Sequence, residues 1–213
     1  METAALRSIP TPVAESKIAA MHRLLSLALL LPIASCVAPA LPPEAPQDPV
    51  KVYLLLEGEH SGVLLPDGPE AWLEYSYGDH GWVVMGRDTP CYASFALFTE
   101  TEGALGRRTF HGHPAADSFS LSRGTRFQPF LAERQKVDAL RRQLDAEFIR
   151  NQEEPFFNQG FGLHYVHANH NYDLFHHCAH ATIEWLQALG CNVSSSGIIR
   201  SVEMRGIDPE YAP

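Results

Sequence analysis

The sequence predicts an α+β domain, an antiparallel sheet packed against helices. Three observations carry that expectation. Apolar, β-rich runs cluster early, at Val50–Glu57, Gly62–Pro66 and Trp72–Tyr77. A helical stripe of Val137, Leu140, Leu144 and Phe148 comes later, inside a segment from Phe130 to Asn151. A second amphipathic helix follows from Cys178 to Leu189, with Ile183, Leu186 and Leu189 inward and Gly190 as its stop. Strands grouped before helices mark α+β architecture rather than alternating βα units.

The remaining elements read in order. Asp67-Gly68-Pro69 is a turn between the second and third runs, and Gly78-Asp79 closes the third. Trp82–Met85 suits a strand or a loop start, while 86–118 shows no usable periodicity. Phe119–Ser122 alternates like a strand. Pro155 ends the long helix, the Gly-, Asn-, His- and aromatic-rich stretch 156–172 reads as a loop, and 192–213 reads as irregular with one apolar run at Ile198-Ile199.

The N-terminal part reads as an address. From Met21 the chain has a short basic start, an apolar run too brief to span a bilayer, and Ile33-Ala34-Ser35-Cys36. That ending looks like a bacterial lipobox, so 21–35 is expected to be a lipoprotein-type signal peptide and Cys36 the lipid attachment point. Residues 1–20 read as an extension ahead of a better start. Val37, a non-acidic residue after the cysteine, fits transfer to the periplasmic face of the outer membrane. Five prolines in the thirteen residues 37–49 suggest a stiff tether over 36–50. The globular domain is then 51–213, long enough for one core. The net charge of −9 argues against nucleic acid and against electrostatic docking on anionic lipid. Membrane lipid is expected as a partner only through Cys36.

The chemistry points first to Cys178. A thiol at a helix N-terminus sits where partial positive charge favours thiolate, the nucleophilic form. His176, His177 and His180 surround it in sequence, and His60 stands far upstream at the break between two apolar runs. An imidazole can serve such a thiol as general base. The bland reading of Cys178 is a small buried hydrophobe. Cysteine parity offers two pairings once Cys36 is spent on lipid: Cys91 with Cys191, leaving Cys178 free, or Cys178 with Cys191. The histidines offer a rival. His164, His167 and His170 recur every third residue, a spacing that metal ligands use in loops.

Gly58-Glu59-His60-Ser61-Gly62-Val63-Leu64-Leu65-Pro66, Tyr77-Gly78-Asp79, and Tyr172-Asp173-Leu174-Phe175-His176-His177-Cys178 stand in that order, the last ahead of a helix ending Leu189-Gly190. Together they resemble a bacterial exported family of unknown function, grouped with the circularly permuted papain-like proteins. Cell-wall peptidases and lecithin retinol acyltransferase-like proteins are relatives. The resemblance covers roughly residues 52–193. It implies a permuted papain-like fold in which His60 is the base, Asp79 orients it and Cys178 is the nucleophile. Tyr77 and His80 compete with Asp79 for the orienting role. His177 and His180 approximate the polar residue before the nucleophile and the histidine two after it, although His177 replaces the usual Asn.

These readings give an expected function: a lipid-anchored envelope hydrolase or acyltransferase that uses no cofactor. It would act on an amide, peptide or ester bond in a peptide, glycan-peptide or lipid substrate. Two alternatives stand beside it. One is a non-catalytic envelope binding protein using Phe156, Phe157, Phe161, Tyr165 and Tyr172 as anchors. The other is a His-rich metal-binding domain.

Overall fold

A computed structural model describes residues 36–58, 60–112, 125–153, 155–194 and 199–206. The extension, the signal segment and the expected strand at Phe119–Ser122 lie outside the described residues. The strands are β1 (Cys36–Leu41), β2 (Pro49–Glu57), β3 (His60–Pro66), β4 (Ala71–Asp79), β5 (Thr101–His111), β6 (Arg126–Glu133), β7 (Phe156–Asn158), β8 (Leu163–Tyr172), β9 (Asn192–Val193) and β10 (Ile199–Met204). The helices are α1 (His80–Val83), α2 (Pro90–Phe98), α3 (Arg134–Arg150) and α4 (Cys178–Ala188).

Among the described residues seven strands form one sheet in the order β6-β2-β3-β4-β5-β8-β7, and every neighbouring pair in it is antiparallel. The α+β class is therefore as expected. Strand alternation sorts its side chains into two faces. Leu54, Leu56, Val63, Leu65, Tyr75, Tyr77 and Leu105 pack with α3 and α4 into the main core. On the other face Tyr53, Leu55, Leu64 and Phe110 form one smaller cluster, and Val83, Ala104, Leu163 and Tyr165 another.

Several boundaries differ from the sequence reading. Phe130–Glu133 belongs to β6, where Phe130 pairs with Val52 and Ala132 with Val50, and the helix starts only at Arg134. Its N-cap, Glu133, makes no side-chain capping bond, so the usual start signal is missing. The expected loop 156–172 is mostly β7 and β8. Its polar residues occupy strand positions because β8 is exposed along much of its length, and only Leu163, Tyr165 and Val166 are fully buried in it. Trp82 lies in α1, not in a strand.

The prolines of 36–49 do not make a free tether. β1 pairs parallel with β10 and antiparallel with β9, in a second, three-stranded sheet. Ala38 and Ala40 are buried in the main core. The tail expected to be irregular thus holds β9 and β10. Its apolar residues Val193, Ile199, Val202 and Met204 are buried against α4 and β1. At the end of α4, Gly190 takes φ 91, the left-handed conformation that lets a helix stop without a Cβ penalty.

Candidate functional site

Cys178 is the first residue of α4 and is half-buried. His177 is the N-cap, and its Nδ1 accepts the Ala179 N–H at 3.3 Å. The ring also bonds the Ile199 backbone, and burial pushes its pKa down to about 4. A neutral imidazole that accepts at Nδ1 donates from Nε2, so both ring nitrogens are committed to structure. The Tyr172 hydroxyl reaches the Cys178 thiol, and burial drives that phenol well above its ordinary pKa. Tyr172 therefore offers the sulfur a hydrogen bond rather than a base. Tyr77 stacks on Tyr172 with ring centroids 5.9 Å apart and donates its hydroxyl to the His170 carbonyl at 3.0 Å.

His60 lies elsewhere. Ser61 faces α4, where its hydroxyl meets Thr182 Oγ1 at 2.9 Å, and Thr182 in turn donates to the Cys178 carbonyl at 2.9 Å. Adjacent strand residues point to opposite faces. His60 accordingly projects from the other face, where its ring sits 5.7 Å from Phe161 and feels Glu57 and Arg108. His60 is half-buried, its buried Nε2 has no partner among the described residues, and desolvation lowers its pKa to about 4. The backbone of the sheet stands between this imidazole and Cys178. The expected base–nucleophile contact does not form, because the helix bearing the thiol docks on the Ser61 side.

Asp79 closes β4 on the helix face, but its carboxylate is fully used. Oδ1 accepts the Trp82 N–H at 2.6 Å as the cap of α1, and Oδ2 accepts the Thr101 hydroxyl at 2.6 Å. It orients a turn and not an imidazole. His80 points away from Cys178 and stacks on His167 at 4.3 Å between ring centroids. His180 is half-buried edge-on to His177 at 4.3 Å, and its Nδ1 has no partner among the described residues.

The residues His164, His167 and His170 do not converge as a ligand set. A step of three along an extended strand reverses the face each time. His164 meets Phe157, His167 meets His80, and His170 meets His176. Neither cysteine pairing forms: Cys91 is exposed on α2, Cys191 is buried beyond α4, and neither they nor Cys178 stand in a disulfide among the described residues. Burial pushes the Cys191 thiol up to about 12.

Two arrangements went unread in the sequence. A groove of ≈ 110 Å³ opens between α3, α4 and the sheet, lined in part by Tyr77, Leu140, Glu147, His170, His176 and Glu184. His176 Nδ1 stands 3.6 Å from Glu184 Oε1 there. On the opposite face, fully buried Glu74 accepts from Arg108 Nε at 2.8 Å. Glu74 and Arg108 sit opposite each other in the β4–β5 register. Strand pairing was the only signal for that ion pair, and β5 lay in the unreadable stretch. No family model, curated protein or solved structure matches the chain. Among the described residues no helix is long and apolar enough to cross a membrane.

Proposed function

We propose that the chain is a lipid-anchored binding protein of the bacterial envelope, built on a permuted papain-like framework, that holds a peptide or glycan-peptide in the groove between α3 and α4. The carrying observation is the groove itself, where Tyr77, Glu147, His176 and Glu184 line one opening between α3, α4 and the sheet. The groove supplies what recognition needs. Glu147 and Glu184 suit an amine, Tyr77 supplies an aromatic wall, and about 110 Å³ accommodates one side chain or small headgroup. The lipobox-like run at Cys36 supports the location, and the order of the His60, Asp79 and Cys178 motifs supports the framework.

The test is calorimetric titration of the full chain with an amine-bearing stem peptide and with its N-acetylated counterpart. Binding that weakens about tenfold in Glu184→Gln and survives Cys178→Ser supports the reading. Equal weak binding of both peptides by both variants would discard it.

A second reading keeps Cys178 as a nucleophile. Its support is the Tyr172 hydroxyl at a half-buried thiol on a helix N-terminus. In that case solvent or His176, not His60, takes the thiol proton, the thiolate attacks the acyl carbon and expels the amine or alcohol, which leaves with that proton, and water then hydrolyses the thioester to the acid and regenerates the thiol. Release of product from a peptide or ester substrate, abolished by Cys178→Ser and untouched by His60→Ala, would select this reading over the first.

A further inference from the structure

On the sheet face opposite Cys178, His80, Glu102 and His167 bring one donor atom each to within 4.8 Å of one another. The three come from separate elements. His80 opens α1 directly after β4, Glu102 lies near the start of β5, and His167 pairs with Ala104 from β8. The β5–β8 register shifts between Glu102 and Ala104, a bulge-like irregularity of the kind that redirects side chains. His80 Nδ1 already stands 3.8 Å from Glu102 Oε2, and the two imidazole rings lie nearly parallel, 13° apart in plane.

We propose that these three residues form a divalent transition-metal site, with zinc as the fitting ion. Two imidazoles and one carboxylate are a donor set zinc accepts, and three protein ligands leave a fourth position open. Tetrahedral coordination needs donors about 3.4 Å apart, given ligand distances of about 2.1 Å. Glu102 is 71 % exposed and can approach by rotating its side-chain bonds, while the two stacked imidazoles turn about their own side-chain bonds to aim at one ion. The bound ion would clasp the β4–α1 junction, β5 and β8 at one end of the sheet. Its open position would take water or a carboxylate from a partner. The site is independent of the groove and of Cys178.

The experiment uses the full, untagged chain stripped with chelator. Zn2+ is titrated against a chromophoric competitor, and Co2+ is used as a spectroscopic probe. Stoichiometric binding is expected, with tetrahedral ligand-field bands for Co2+. His80→Ala and His167→Ala should each weaken binding about tenfold or more, as should the surface change Glu102→Gln, which leaves packing intact. His164→Ala and His170→Ala should leave it unchanged. Absence of stoichiometric binding by the parent protein overturns the proposal, as does a loss that follows His164 and His170 instead. Circular dichroism of each variant separates unfolding from ligand loss.

Discussion

Replacing Glu74 with Gln tests the architecture of the second sheet face. Glu74 has no solvent exposure, and one of its oxygens, Oε1, has no hydrogen-bond partner among the described residues. Arg108 holds the other, with Nη2 2.6 Å from Oε2. Burial raises the carboxyl and Arg108 pulls it back, leaving it near 7 instead of an ordinary 4.5. The folded protein thus binds this proton more tightly than the unfolded chain does. The group's contribution is fully present below pH 4.5 and is lost as pH rises through 7. At ~1.4 kcal/mol per pH unit the loss is about 3 kcal/mol. Gln cannot ionise, so Glu74→Gln should escape it. Urea unfolding followed by tryptophan fluorescence, repeated across this pH range, measures the difference. The variant's stability relative to the parent should climb by about 3 kcal/mol, above a constant offset for its weaker bond to Arg108. Parallel curves would refute the reasoning and mean that the carboxyl is solvated. His60 provides the mirror test on the same face. Its pKa falls from 6.5 to about 4 on folding, so its contribution is present above 6.5 and is lost as pH drops through 4. The relative stability of His60→Gln should therefore rise as the solution is acidified.

Three further outcomes follow from the same contacts. Under native conditions iodoacetamide should modify Cys91 first, Cys178 more slowly and Cys191 only after unfolding, and mass mapping that finds Cys191 labelled early contradicts its burial. Ser61→Ala removes the bond to Thr182 and should cost about 1 kcal/mol in denaturant unfolding, with an unchanged midpoint telling against docking of α4 on that face. His177→Ala should cost about 1 kcal/mol through the lost N-cap while His177→Asn, a good capping residue, recovers most of it; equal losses would place the role of His177 in its contact with Ile199 instead.

Much of the fold was legible because it rests on periodicity. β2, β3 and β4 were visible as apolar runs, and α3 as a stripe of Val137, Leu140, Leu144 and Phe148, all buried on one side. The N-terminus of α4 was visible because Cys178 opens an apolar pattern. What escaped was structure made by pairing. β8 carries six polar or small residues among its ten, since it needs hydrogen-bonded neighbours more than apolar ones. β1 looked like a tether because proline signals extension without naming a partner. Its partners, β9 and β10, lie some 150 residues further along the chain.

The site shows a sharper limit. Cys178 was read at the start of its helix, whereas His60, read at the break between two apolar runs, is the first residue of β3. Their meeting depended on one more bit of information, namely which face of β3 receives α4. A strand answers that question with alternate residues, so an error of one position sends the imidazole to the far side. The next residue carried a hint. Ser61 is a small hydroxyl followed on its own face by Val63 and Leu65, and it is the hydroxyl a helix carrying Thr182 can bond. The complementary face shows Gly62, Leu64 and, across the register, Glu74, which leaves His60 among buried charges. A histidine there meets an ion pair, not a thiol. The group that meets Cys178 comes instead from the helix face: Tyr172 reaches the thiol, and Tyr77 packs against both Tyr172 and His176.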